Sequence, residues 1–440
     1  MSIKRTRIFP RSNWMHRRRF LQTSGMGALG FAALAVTFRA TPAQGASTSQ
    51  ATLTVEDTDG VLGRAEAPTC VSVILPSKAQ AALREGRLVL KEQAVGAHAV
   101  IPAQRVGSGP DGAVRACWLM PPGSPGRRVF HWEETRQPSA ILVQASRDSA
   151  TGQYEVSEAG RPLLRYNYAT VEPGDVLKDI AEGNRKYAVA RSDYIHPLYG
   201  LENEPITKDW PVEHPHHRGI YWAWPEVDWH GQRGDLHALQ LVFARPTGKC
   251  GMASGAVFAQ IEAENEWRWG DRVPIVRERA IIRAYCATAR GRYVDLDLRF
   301  EALGDPVLLA RRGAEHYGGL NIRLAAVRNQ QLVTRTGVPG SEPRQAWSDL
   351  AGTFAGAVKP SGLAVFQHAA NPQYPGDWIS YPELNWLQPT FPASGKRNEL
   401  KKDQPLALKF RLWIHPGERL AESDGGDQWQ AANSPSSPLA

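Results

Sequence analysis

The chain has 440 residues, long enough for a large core and more naturally two domains than one. Charged residues make up 22% and hydrophobic residues 42%, a balance that excludes wholesale disorder. The formal net charge of +8 comes from residues 1–45, which hold eight basic residues and no acidic one; the remaining 44 basic and 44 acidic residues cancel, which removes nucleic acid and anionic membrane surfaces as expected partners.

Residues 1–45 read as an export signal. Arg17-Arg18-Arg19-Phe20-Leu21-Gln22 resembles the twin-arginine motif, and the apolar run from Gly25 to Val36 is too short to span a bilayer. Small residues around Ala43 to Ala46 suit cleavage, so the expected location is periplasmic or secreted. No later segment is apolar for long enough to predict a membrane span.

From 46 to about 150 the pattern predicts a small β-barrel or sandwich domain. Cys70–Leu75, Arg87–Leu90, Val114–Leu119 and Ala140–Val143 are short apolar or β-branched runs bounded by turn residues, and Lys78–Arg84 is a short helical stretch. A hairpin is predicted around Gln153–Val156 and Leu163–Tyr168. Longer alternating strands follow at Leu239–Phe243, Ala256–Trp269, Ile275–Ala287 and Arg292–Glu301. Later candidates are Gly319–Leu324, Gln331–Thr334, Leu363–Phe366 and Leu406–Ile414. Long strands joined by short turns point to an all-β fold, a large antiparallel β-sandwich over 151–420. The polar tail, 421–440, reads as disordered. The four cysteines form no C-x-x-C pair, which argues against a cysteine zinc site. Bridges Cys70–Cys117 and Cys250–Cys286 and four free buried thiols are both compatible with the spacing.

The segment VEHPHHRGIYWAW, Val212 to Trp224, fits neither an apolar core strand nor an ordinary loop. Six of the twelve histidines fall between 196 and 237: His196, His214, His216, His217, His230 and His237. In an extended chain His214 and His216 share one side and His217 takes the other. Two same-side imidazoles suit acid–base work or a metal ion. Arg218 offers a planar fork for a carboxylate, and Trp222 and Trp224 share a face suited to a core or to a sugar ring. A lone histidine is most often structural; three within four residues beside Arg and a Trp-rich run are harder to explain that way.

The run Tyr194 to Trp224 resembles the signature of a bacterial PmoA-like family, an uncharacterised group labelled "methane oxygenase PmoA". EHYGGLNIR (315–323), WSDLAG (347–352), GLAVFQHAANPQYPGDW (362–378) and LKFRLWIHPGE (408–418) carry the same resemblance in the same order, over roughly residues 150–420. It departs at Glu213, where the family commonly has Asp. The resemblance implies sheets like those of the galactose-mutarotase supersandwich and a place beside sugar oxidoreductases and sugar hydrolases.

The expected function is a carbohydrate-active enzyme acting on a sugar or uronate. His214, His216, His217, His196 and His316 are the candidate proton-transfer groups. Arg218, Trp222, Trp224, Tyr199, Arg323, His368 and Asn371 are candidate substrate contacts, and His415 is a further distant histidine. Epimerase, lyase and hydrolase chemistry all fit; a two-carboxylate hydrolase would need Glu213 with Glu226 or Asp228. Two alternatives stand beside it: a metal-dependent enzyme, oxidative chemistry included, with His214 and His216 as ligands, and a non-catalytic protein that binds a small-molecule or oligosaccharide ligand.

Overall fold

The computed structural model describes residues 52–93, 99–108, 113–334 and 344–440. The expected export signal lies outside the described residues. Strands make up 52% of the structure and helices 11%, in several antiparallel sheets with no barrel closure, an all-β sandwich.

Two eight-stranded sheets form the body. One runs, edge to edge, through Trp378–Tyr381, Trp386–Pro389, Gly319–Arg323, Ile220–Ala223, Ile195–Leu198, Arg161–Tyr166, Tyr154–Glu158 and Val143–Arg147. The other runs through Val242–Ala253, Phe258–Trp269, Val273–Tyr285, Arg292–Ala302, Leu406–Pro416, Ser361–Gln367, Trp347–Phe354 and Val327–Thr334. Alternation puts Val294, Leu296, Leu298 and Phe300 into the core between the sheets, where they meet Ile220, Trp222, Leu320 and Ile322 from the first. A smaller sheet of Gln232–Gly234, Glu226–Trp229, Val307–Ala310 and Arg397–Leu400 closes one end.

The second large sheet is covered on its other face as well. There Tyr285, Tyr293, Phe366 and Trp413 pack with Cys70 and Cys117 from the N-terminal region. Cross-strand partners Asp295 and Arg411 form a buried ion pair at 2.7 Å on this face, and Tyr285 donates to the same carboxylate at 2.8 Å. Gln104 clamps the junction: its Oε1 accepts from Val257 N at 3.0 Å and its Nε2 donates to Phe258 O at 3.0 Å.

The N-terminal region is two small sheets, four- and three-stranded, around their own core of Leu53, Val55, Leu90, Val114, Trp118 and Phe130. The expected strand Ala140–Val143 starts later, at Val143–Arg147, and pairs with Tyr154–Glu158 in the large first sheet. All four cysteines are free thiols; Cys70 and Cys117 are cross-strand partners.

The tail departs from expectation. Glu422–Ala432 is an α-helix, not a disordered segment. Its Gln428 is buried and donates to Ala65 O at 3.1 Å, Trp429 Nε1 donates to Gln367 O at 3.2 Å, and Ala431 completes the small core. Ser436 O accepts from Cys70 N at 2.5 Å. The sequence hides this because Ala, Gln and Gly fill tight spaces: Gly425 lies against the Trp347 ring, which a Cβ would meet at 2.4 Å. No helix among the described residues is long and apolar enough to cross a membrane.

Candidate functional site

The histidine segment does not run extended. His214 N donates to Pro211 O at 3.0 Å and His217 N to His214 O at 2.9 Å, so two successive tight turns replace the expected alternation. The turns gather all three rings. His214 and His217 stack at 4.8 Å between centroids and 7° between planes, and His216 stands edge-on to His217 at 4.5 Å. The turn ends at Gly219, with φ 58° and the Ile195 carbonyl 2.3 Å from where a Cβ would stand, so no other residue fits there.

A fourth imidazole, His237, arrives from the loop after the Gln232–Gly234 strand. Its ring is 5.2 Å from His216 and 5.7 Å from His217. Asp235 shapes this loop by accepting from Ala238 N at 2.7 Å, and His237 Nε2 shares a 3.0 Å hydrogen bond with Tyr221 Oη.

Strand register decides what lies beneath the rings. Tyr221 is paired with Asn321, and Arg323 with Trp386. With the period of two, Tyr221, Asn321, Arg323, Trp386 and Gln388 share the face turned away from the sandwich core. Gln388 Nε2 donates to Asn321 Oδ1 on that face. Trp386 meets His217 at 4.0 Å between centroids.

These groups surround a cavity of about 400 Å³. His214, His216, His217 and His237 form one side; Tyr317, Tyr381, Glu383, Leu384 and Trp386 form the other. The imidazoles are held neutral. Burial pushes His216 down to about 3, helped by the charge of Arg191 and by His214. Burial likewise drives His217 and His237 well below the usual range, and His214 is lowered by burial and the Arg323 charge. The Nδ1 atoms of His214, His216 and His217 are buried without a hydrogen-bond partner among the described residues. These nitrogens lie beneath the cavity surface, so other parts of the rings are what the cavity presents to a ligand.

Two arginines stand behind the rings. Arg191 is buried, donates to the carbonyls of Leu236 at 2.8 Å and His237 at 2.6 Å, and lies 4.6 Å over the Tyr221 ring. Arg323 is paired with Glu213 through Nη2, while its Nε and Nη1 are buried and unpartnered.

Several expected site residues belong elsewhere. Trp222 and Trp224 are core: their indoles donate to Glu278 at 2.6 Å and to Phe391 O at 2.7 Å, because the even positions of this strand face inward. Arg218 is no open fork. It is fully buried, paired with Asp209, and held 3.5 Å from the Trp210 ring centroid and 4.4 Å from that of Tyr194. His196 bonds Thr207 Oγ1 at 2.9 Å, and Tyr199 is held by its backbone to Leu163 O at 2.9 Å; neither lines the cavity. His316 is exposed and outside the lining, although its neighbour Tyr317 is part of it.

His368 and Asn371 pack beside the Lys409 backbone, where Asn371 Nδ2 donates to Lys409 O at 2.9 Å, and His415 pairs with buried Asp349 at 2.9 Å. They belong to the second sheet, so the five matching segments do not form one composite site. His230 is apart too, on Asp305 at 2.7 Å. Glu226 and Asp228 are both tied to Arg233 and Arg397 rather than opposed across a cleft with Glu213. Sequence reasoning did not select His237, Tyr221, Tyr317, Tyr381, Glu383 or Trp386. The one available signal was the membership of His237 in the dense histidine stretch.

Among the described residues no three His, Cys, Asp or Glu side chains meet in an arrangement that would hold a metal ion. A larger groove, about 600 Å³, crosses the outer face of the second sheet. Its charges are mutually satisfied, Lys249 with Glu264 at 2.9 Å, Arg279 with Glu264 at 3.3 Å and Arg299 with Asp297 at 3.3 Å, as on a solvated sheet face.

No curated protein matches this sequence. A family profile does, over residues 153–429, a span that contains the histidine turns, His237, both strands beneath them and most of the C-terminal helix. The chain therefore belongs to the family of unknown function DUF6807.

Proposed function

We propose that this chain is an exported carbohydrate-active protein whose histidine-walled cavity holds a sugar or uronate. One observation carries the reading: four imidazoles and three aromatic rings surround one cavity of about 400 Å³. That volume suits a mono- or disaccharide-sized ligand. Tyr317, Tyr381 and Trp386 offer apolar faces to a sugar ring, and a neutral imidazole both donates and accepts, as hydroxyl pairs require.

His216 is the candidate proton acceptor. It lines the cavity between two other rings and is neutral at working pH, and a bound negative group would raise its basicity toward the useful range. The twin-arginine-like leader supports export. The PmoA-like resemblance supports the sugar assignment through the sugar-oxidising and sugar-hydrolysing company its members keep.

Calorimetric titration with a panel of neutral sugars, uronates and short oligosaccharides tests the reading. Binding by the parent and its loss in His216→Ala are expected; a folded parent that binds none of the panel overturns it. The metal alternative draws on the unpartnered ring nitrogens, but the rings stack on one another rather than converging on a point. Elemental analysis of the folded protein decides it: one equivalent of Zn or Cu lost in a His214→Ala/His216→Ala variant would replace the sugar reading with a metal centre.

A further inference from the structure

We propose that the ligand of this cavity carries a negative charge: a sugar-sized polyol with one anionic substituent, such as a uronate, bound toward Arg191 and Arg323. The inference rests on the cavity reading above and narrows it.

The arginines near the cavity are unequally paired. Arg312 is neutralised by Asp235, and Arg323 shares one nitrogen with Glu213. Arg191 hydrogen-bonds only to carbonyl oxygens and faces the Tyr221 ring; no ion pair reaches it among the described residues. Its nearby carboxylate, Asp193, is already engaged by Tyr166 at 2.7 Å and Asn265 at 3.0 Å and shares a hydrogen bond with Glu278. Asp193 and Asp235 act on Arg191 only at a distance, and a buried guanidinium with no carboxylate in contact is costly, a cost that a nearby bound anion would reduce.

The second observation is independent of the first. Arg323 is only 6% exposed at its side chain, yet two of its three nitrogens have no partner. It stands directly across the strand pair from Trp386, on the face that bears the cavity, and its charge reaches His214, His216 and His217. A guanidinium paired along one edge only keeps positive charge beside the cavity, and that charge favours an anionic ligand over a neutral one. The four imidazoles that line the cavity are neutral, so they add no charge to repel an anion, and a neutral imidazole can supply an N–H donor. Among the described residues one carboxylate lines the cavity, Glu383, and it is exposed, so water screens its charge.

The test compares ligands rather than relying on variants that could unfold. The folded protein is titrated with glucose, glucuronate, glucose 6-phosphate, galactose and galacturonate at low and moderate salt. The expected result is that an anionic sugar binds at least about tenfold tighter than its neutral counterpart, with affinity falling as salt rises. Preference for the uronate over the phosphate identifies a carboxylate, and the reverse identifies a phosphate. Arg323→Gln should erase the preference for the anionic sugar; a preference that survives in this folded variant overturns the role of Arg323. If neutral and charged sugars bind equally, the anion inference is wrong and the sugar cavity stands. If none of the five binds, the sugar reading itself falls, and this inference with it.

Discussion

Tyr221 Oη and His237 Nε2 lie 3.0 Å apart, both buried, and this contact joins the first large sheet to the loop that completes the histidine cluster. The bond holds the His237 ring beside the other imidazoles, Asn321 is a second side-chain hydrogen-bond partner, and the Tyr317 ring lies 4.8 Å away between centroids. Tyr221→Phe keeps the ring and removes one bond, so His237 loses a buried partner. The expected cost is about 1–3 kcal/mol in chemical denaturation, together with weaker binding of whichever sugar the parent takes. Unchanged stability would mean that Asn321 and the backbone hold His237 without Tyr221.

Arg218 tests the boundary between site and scaffold. Its guanidinium is clamped by Asp209, Tyr194 and Trp210 and is fully buried. Removing one member of such a set leaves a poorly solvated charge, so Arg218→Ala should destabilise by about 3–5 kcal/mol. A stable Arg218→Ala protein that merely lost ligand affinity would return Arg218 to the substrate-binding role its sequence position invites.

A buried acid pair inside the sandwich predicts a pH dependence. Glu278 accepts from the indoles of Trp222 at 2.6 Å and Trp267 at 2.7 Å, and burial, followed by the Asp193 charge, raises it well above the usual carboxylate range. Asp193 is raised as well, by burial, against the hydrogen bonds it accepts. The folded state therefore keeps protons that the unfolded chain releases above about pH 4. Stability is fully present below that pH and falls as pH rises, by about 1.4 kcal/mol per unit for each retained proton, until the folded-state values are passed. Asp193→Asn preserves shape, tolerates the φ of 69° at this position, and leaves one acid instead of two. Denaturation midpoints between pH 5 and 8 should decline less steeply in this variant; equal slopes would show that the pair ionises freely.

Gly362 owes its identity to the second sheet's own histidine. A Cβ there would come within 2.3 Å of His415 Nε2, the atom that bonds Asp349 at 2.9 Å. Gly362→Ala must displace the ring and break a buried pair, with an expected loss of about 1–3 kcal/mol. Ligand affinity should not change, since His415 lies away from the cavity. A loss of binding at intact stability would tie the two regions together.

Truncation after Leu420 separates a packed helix from a loose tail. The deletion removes Gln428 and Trp429 from their buried hydrogen bonds and uncovers part of the small N-terminal core. The thermal midpoint should drop by several degrees or the truncated protein should fail to fold. An unchanged midpoint would show that the helix contributes nothing to the fold.

Much of the sheet architecture was legible in the chain. Arg292–Ala302 and Val273–Tyr285 alternate apolar and polar residues because each faces the sandwich core on alternate positions, and their short Gly-containing turn left only a hairpin. The unusual density of histidine was equally visible, since no packing requirement of a sheet calls for it. Strands such as Gly126–Glu134 and Trp386–Pro389 were not, because charge in the first and brevity in the second blur the period.

What the sequence determined by itself was the element type, set by local alternation and turn residues, and the segment where polar aromatic chemistry is concentrated. What only the tertiary structure decided was which side chains face one another. Period two fixes that Tyr221 and Trp222 point opposite ways, but nothing local says which way is inward; the pairing of Tyr221 with Asn321 in a distant strand settles it. The same holds for Arg323 opposite Trp386, and for His237, carried to the cluster by a loop. Long-range register, not composition, turned a tryptophan-rich strand into core and set a tyrosine, an arginine and a remote tryptophan on the face beneath the histidine cluster, where the tryptophan lines the cavity.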